Sequence, residues 1–471
     1  MLFNSIPFLI FFPIVTLLFY LIPHKYRWIH LLAASCFFYM FFVPYYILIL
    51  LVTIVIDYTA GIFIEKTEGR RRKFFLIVSI VSTCLVLVIF KYLGFFNQNM
   101  IALSHYFGFY YPDRVIHIIL PIGLSFHTFQ SLSYVIEVYR GNQKAEKHFG
   151  IYSLYVMFYP QLVTGPIERP QNLLRQLREK KIFQPNNVIN GLRLILFGLF
   201  IKMVIADNLA VYVDQIYENP AIYNTFSILT GLLFYSFQIY CDFFGYSIIA
   251  LGCALSMGYF ITENFRTPYL AKSVTEFWHR WHISLSTWFR DYVFFPMGGS
   301  RVKTPRWIFN IAFVFMLSGF WHGANWTFIF WGGAFAILYI VEHTLKKNIK
   351  LDFSHNKVIY NILNLFLILK NFVLVTLIWV FFRSVNVTQI KLVYASILRN
   401  LHVKDDFFVD YKIWFFLALF IVIDVVIRKS RFDTWCGNRS FIVRWTIYAV
   451  MLFLILVFSS VNNFPFIYFQ F

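Results

Sequence analysis

Charge is what this sequence has least of. Only 13% of its 471 residues are Asp, Glu, Lys or Arg, whereas soluble chains carry roughly a quarter. A surface so poor in charge cannot be solvated by water, which excludes an ordinary soluble globule. Also missing is any stretch of 100 residues without a long apolar run, so no soluble catalytic domain is appended. Cysteines number five, an odd count. Cys36, Cys84, Cys241 and Cys253 lie in apolar segments and Cys436 in a basic loop, which excludes a disulfide framework or a zinc spacing. Three catalytic signatures are absent as well: the G-x-x-x-x-G-K-[ST] phosphate loop, the H-E-x-x-H pair and the G-x-S-x-G elbow. Phosphate-loop hydrolysis and helix-borne zinc chemistry therefore lack their usual parts. No Lys or Arg precedes the apolar stretch 6–22 and no small-residue cleavage site follows it. A retained first helix is expected there, not a cleaved signal.

What the chain does have is apolar surface: 59% apolar residues, 22% aromatic. Runs of about 20 apolar residues, enough to cross a bilayer, recur from end to end. The expected fold class is all-α, a polytopic transmembrane helical bundle with re-entrant and interfacial helices. About twelve membrane segments are expected, in a single domain covering 1–471. The formal charge of +19 follows from the loading of cytoplasmic loops with Lys and Arg, and no nucleic-acid partner is called for.

Basic clusters set the orientation. They fall at His24–Arg27, Lys66–Lys73, Arg140–Lys147, Arg169–Lys181, Arg301–Arg306, Lys346–Lys350 and Arg428–Arg431. With both termini outside, spans near 6–22, 29–43, 45–64 and 74–95 bring the first two clusters inside. The Lys- and Arg-free stretch 96–112 then forms an outside loop. A span near 115–137 returns inward. The apolar piece 149–166 has basic clusters on both sides and reads as re-entrant. In 169–183, Leu173, Leu174, Leu177 and Phe183 recur at near-helical spacing among basic residues, as in an interfacial helix. Further spans are expected near 188–213, 225–258 (long, with a break), 307–322, 325–345, 358–382, 412–428 and 441–460. The longest outside loop, 383–411, is expected to be irregular.

Ionisable groups inside apolar runs mark functional sites. The segment 276–301, EFWHRWHISLSTWFRDYVFFPMGGSR, sets His279, His282, Arg280, Arg290 and Asp291 among tryptophans. It is too polar to face lipid and too aromatic for an ordinary loop, and it suits the lining of a cavity. The segment 318–333, SGFWHGANWTFIFWGG, places His322 and Asn325 between two apolar helices. Each histidine has two readings, a general base or a helix-end residue bonded to a carbonyl. Asp242, in YSFQIYCDFFGYS, is either an ion-pair partner for Lys202 or part of a substrate path. An imidazole with an ordinary pKa near 6.5 can deprotonate a hydroxyl as it attacks a thioester.

At these segments the chain resembles the membrane-bound O-acyltransferase family, in its bacterial polysaccharide O-acetylase branch of the alginate and peptidoglycan type. The resemblance spans nearly the whole chain. It is carried by PIGLSFHTFQSLSYVIEVYRG (121–141), TGPIERP (164–170), YSFQIYCDFFGYS (235–247), the run from NFRTPYLAKSVTEFWHRWHIS to PMGGSR (264–301) and WHGANWTFIFWG (321–332). Glu137 stands where relatives often have Asp, and His127 where some have Tyr. The resemblance implies His322 as catalytic base and His282 as its assistant. Arg280, Arg290, Asp291 and Asn325 match motif positions, and with Asp242 they are the candidate substrate-binding residues. Arg280 and Arg290 suit an anionic donor, acetyl-coenzyme A or, as the lesser option, an acylated carrier protein, with no cofactor held permanently and no metal. The implied setting is a multi-pass protein of the bacterial inner membrane, in contact with lipid. It would pass acetyl groups to a cell-surface polysaccharide beside a separate extracytoplasmic acetyltransferase. D-alanyl transfer to teichoic acid is the nearest alternative. A non-catalytic transporter is another, though the two related halves common in transporters are not evident.

Overall fold

The computed structural model describes residues 1–114, 121–162, 165–348, 357–459 and 466–467, and every element among them is a helix. Seven helices in these residues are long and apolar enough to cross a membrane: Tyr46–Lys66, Gly69–Phe107, Pro185–Glu218, Thr225–Ser256, Trp326–Lys346, Lys357–Arg383 and Phe441–Phe458. The remaining expected spans fall on shorter or less apolar helices, Ile6–Leu21, His24–Met40, Leu124–Arg140, Thr304–His322 and Tyr411–Val426. Part of the expected 115–137 span, residues 115–120, lies outside the described residues.

Three expectations change. The stretch 96–112, read as a loop, is helical through Phe107 and continues the 39-residue Gly69–Phe107 helix across a π turn at Val88–Tyr92. Burial of Asn97 and Ser104 keeps it wound until Gly108 takes a left-handed φ of 72° and ends it. The Thr225–Ser256 helix is unbroken over 32 residues. The 383–411 loop contains a helix, Val387–Arg399, capped by Asn386, whose Oδ1 accepts the Gln389 N–H at 2.8 Å. Its Ile390, Val393 and Ser396 are buried on one face.

The chain divides into two compact units, Met1–Ile195 with Ile249–Thr262, and Leu196–Ile248 with Glu263–Phe471. In the first, Tyr46–Lys66, Gly69–Leu87 and Leu124–Arg140 pack together around a buried Asp57. The Asp57 carboxylate accepts from Ser79 Oγ at 2.5 Å and Thr83 Oγ1 at 3.0 Å. The Phe149–Met157 helix is nine residues long, about 14 Å, half the thickness of a bilayer core. It breaks at Phe158, and a second short helix, Tyr159–Leu162, follows. Residues 150–162 are buried throughout, as a re-entrant segment requires. The amphipathic helix is Pro170–Arg178: Leu173, Leu174 and Leu177 face inward, and Arg178 pairs with the buried Glu146. Glu179 turns to extended backbone, so Phe183 lies beyond the helix and is exposed.

The second unit is organised by a buried charge cluster. A π turn at Ile201–Ala206 carries Lys202, whose Nζ lies 2.6 Å from Asp207 Oδ1 and 2.6 Å from Asp242 Oδ1. Lys202 is 1% exposed. Asp242 Oδ2 accepts the backbone N–H of Ile467 at 2.7 Å. The Asp242-bearing helix approaches closely because position 245 is glycine. A Cβ there would sit 2.9 Å from the Gly198 carbonyl and 3.2 Å from Lys202 Cβ. The Thr304–His322 and Trp326–Asn348 helices form an equally close hairpin, where a Cβ on Gly319 would strike the Phe328 carbonyl at 2.1 Å.

Breaking one partner of a buried ion cluster strands charge in an apolar interior, at about 3–5 kcal/mol. Lys202→Met leaves two carboxylates facing each other and is expected to destabilise by that order. Asp242→Asn, which keeps the Lys202–Asp207 pair, should cost clearly less. Thermal unfolding in detergent checks the order, and equal losses in the two variants would contradict it.

Candidate active site

Two short helices and one long one build the candidate site, all in the second unit. The Val274–Arg280 helix starts at Ser273, whose Oγ accepts the Glu276 N–H at 3.1 Å, in the S-x-x-E pattern of a helix start. Glu276 Oε1 accepts from Arg280 Nη2 at 2.5 Å, one turn on. The helix stops at Trp281 because His282 has a left-handed backbone, φ 44° and ψ 54°. A non-glycine residue pays about 1–2 kcal/mol to sit there, so surrounding bonds must hold it. The chain then enters the Ile283–Phe289 helix and a π turn at Arg290–Phe294.

His282 is fully buried, with its ring edge-on to Phe243 at 4.6 Å and 6.4 Å from Trp321. His322 ends the Thr304–His322 helix and is 4% exposed. Its ring lies 4.8 Å from Trp321, 5.1 Å from Trp331 and 5.2 Å from Phe382. Trp321 thus stands against both histidines.

A cavity of about 380 Å³ lies between the 275–295 segment and the Thr304–His322 helix. Its wall is mostly aromatic and aliphatic, with Trp278, Phe289, Phe294 and Phe315 prominent, and polar points at His279, Ser286, Arg290 and Ser318. Neither His282 nor His322 is on this wall. Ile283, the next residue after His282, lines it, as does Ser318, one helical turn (about 6 Å) from His322.

The other candidate residues separate. Arg290 lines the cavity, and its Nε donates to Asp291 Oδ1 at 2.8 Å. Arg280 does not line it: the guanidinium is turned to Glu276 and to the carbonyl and hydroxyl of Thr267, both at 3.3 Å. The Asn325 amide holds a turn, with Oδ1 accepting the Thr327 N–H at 3.1 Å and Nδ2 donating to the Val385 carbonyl at 2.7 Å. Asp242 is in the ion cluster, the first of the two readings open from the sequence, with Lys202 and the Ile467 N–H on its oxygens, and it is not among the residues lining the cavity. Ser318 and the ion-cluster member Asp207 went unnoticed in the sequence. Their only signal was a polar group within an apolar run, which many structural residues share.

The fold and the site together define a polytopic helical membrane protein with two buried histidines beside a largely apolar cavity. The family model for membrane-bound O-acyltransferases matches residues 148–383, and the chain belongs to that family; it is an acyltransferase. It is 36% identical over 403 residues to a probable alginate O-acetylase of Azotobacter vinelandii, covering 84% of this chain and 78% of that one. It is 33% identical over 387 residues to a peptidoglycan O-acetyltransferase of Helicobacter pylori, covering 76% and 71%. Similarity to a teichoic acid D-alanyltransferase of Bacillus subtilis is 32% over 231 residues, covering 46% and 57%.

His282 lies outside the helices long and apolar enough to cross a membrane, and burial pushes its imidazole down to about 3, so the ring is neutral at pH 7. An unfolded chain binds that proton near pH 6.5, whereas the folded protein refuses it until about pH 3. The stability is present above pH 6.5 and is lost as pH falls toward the folded value. Wild type should therefore lose stability relative to His282→Leu between about pH 7 and about pH 5. Melting curves across that range test this, and a gap independent of pH would contradict it.

Proposed function

We propose that this acyltransferase takes acetyl groups from a cytoplasmic thioester, acetyl-coenzyme A, and passes them across the bacterial inner membrane. They serve O-acetylation of a cell-surface polysaccharide, beside an extracytoplasmic acetyltransferase, with residues 1–471 acting as one catalytic domain. The observation that carries this reading is the pair of histidines set against Trp321 beside a largely apolar cavity. The names of the relatives most fully covered, acetylases of alginate and peptidoglycan, support acetyl over D-alanyl transfer. The D-alanyltransferase matches under half of the chain.

In the proposed reaction an acceptor hydroxyl oxygen attacks the thioester carbonyl carbon as His322 removes the hydroxyl proton. The tetrahedral intermediate collapses, the carbon–sulfur bond breaks, and the leaving thiolate regains a proton from the His322 imidazolium. His282 helps to orient the reacting groups. Trp321, Trp331 and Phe382 exclude water from the base, which strengthens each electrostatic contact made there. Arg290, on the cavity wall, receives the donor phosphates, since a planar guanidinium can bond two oxygens at once. In this reading the basic loops at Arg70–Arg72 and Arg428–Arg431 face the cytoplasm.

Reconstituted vesicles with labelled acetyl-coenzyme A on the cytoplasmic side and polymer on the other test the reading. Donor consumption should fall about 10²–10⁴-fold in His322→Ala at normal abundance, and polymer should be labelled only when the partner enzyme is added. Loss of the protein with full activity in what remains would refute the base; polymer labelling without the partner would refute the relay. The two arginines divide a further prediction. Arg290→Gln should raise the donor KM about 10- to 100-fold, as expected for a lost charged hydrogen bond. Arg280→Gln should act on stability instead, so a larger KM effect at Arg280 would reverse the assignment.

A further inference from the structure

His282 occupies the N-cap position of the Ile283–Phe289 helix, yet its side chain makes no capping hydrogen bond. The first N–H groups of a helix need acceptors, and at most helix starts a Ser, Thr, Asp or Asn in the cap position provides one. Here the cap comes from elsewhere in the chain. The Asn264 carbonyl accepts the Ile283 N–H at 2.9 Å. Its side-chain Oδ1 accepts the Ser284 N–H at 3.4 Å and the Ser284 hydroxyl at 2.6 Å. One further backbone bond, from Arg266 N–H to the Arg280 carbonyl at 3.0 Å, keeps the two segments side by side.

The other end of the same amide reaches a second element. Asn264 Nδ2 donates to Ser247 Oγ at 3.3 Å, and Ser247 lies one turn after Phe243, the ring that meets His282 edge-on. A single amide, 1% exposed, therefore ties the turn that aims His282 to the helix that supplies the wall His282 packs on. It also supplies the cap that the left-handed His282 would otherwise have to provide with its imidazole.

From this arrangement we infer that Asn264 is a positioning residue for the transfer reaction, setting the orientation of the His282 ring without touching substrate. The inference rests on the proposed functional role of His282. Misplacing a reacting group by about 1 Å costs on the order of 10²-fold in rate, and loss of this clamp permits such a shift.

The test is a double-mutant cycle on the purified full-length protein, reading turnover, donor KM and melting temperature. Asn264→Ala should lower kcat about 10- to 100-fold with donor KM changed less than about threefold. In a His282→Ala background the same change should cost less than about threefold more, because there is no ring left to aim. Asn264→Asp keeps the acceptor oxygen at the helix N-terminus, where negative charge is favoured, but loses the Nδ2 donor to Ser247, and should recover only part of the loss. If Asn264→Ala does not accumulate, Ser284→Ala, which removes the 2.6 Å bond to Asn264 Oδ1, should show a smaller loss with the same non-additivity. Losses that multiply in the His282→Ala background, or an Asn264→Ala enzyme with normal kcat, would overturn the positioning role alone. A fully active His282→Ala would instead remove the role of His282, and the inference with it.

Discussion

The Lys202 ammonium lies 2.6 Å from an oxygen of Asp207 and 2.6 Å from an oxygen of Asp242, and those distances tolerate only one register of the helices involved. Sliding the Thr225–Ser256 helix by one residue would turn it by about 100° and carry the Asp242 carboxylate off its counter-charge. In an interior where water cannot screen or solvate, that displacement is strongly opposed. The fixed register has consequences along the same helix. It fixes the direction of Phe243, the ring on which His282 packs, and of Ser247, the hydroxyl that receives the Asn264 amide. The charge cluster thus sets the frame in which Phe243, Ser247 and, through them, His282 are placed.

The two histidines sit in different local structures. His322 lies among aromatic rings at the end of a helix, beside the close hairpin that Gly319 permits. His282 is held by the backbone: an abrupt left-handed turn fixes where its Cβ points, and hydrogen bonds fix the turn. A hydrogen-bonded turn of this kind fixes the direction of the side chain it carries.

Much of the bundle was legible because lipid solvation enforces a simple rule: backbone groups must be paired within a helix and side chains must be apolar. The interfacial helix was legible for a related reason, since Leu173, Leu174 and Leu177 recur at helical spacing among arginines. The rule fails where tertiary burial replaces lipid. Residues 96–107 look like a loop because Asn97, Gln98 and Asn99 interrupt the apolar run, but Asn97 is buried against protein and the helix continues. At the site, the histidines could be picked out as charged-capable groups in apolar company. The different fates of Arg280 and Arg290 could not. Their relative direction depends on the helix ending at Trp281, on the left-handed His282 and on the π turn that starts at Arg290. None of these leaves a local mark in the sequence. Asn264 was hidden for the same reason, because the helix it caps begins 19 positions later in the chain.

One bond in the charge cluster has a consequence for the order in which the protein is made. Asp242 Oδ2 takes the backbone N–H of Ile467, which lies 225 residues further along the chain. A ribosome adds about 5–20 residues per second, so roughly 10 to 45 seconds pass between the synthesis of the carboxylate and of this donor. Through that interval the helices around Asp242 are already being delivered to the membrane while one oxygen of a charged group still lacks its partner. The insertion machinery must shelter it, or water must stay with it, until the chain arrives. Assembly of this interior is therefore a matter of waiting as well as of packing, because this polar contact of the buried cluster can form only after most of the chain has been made.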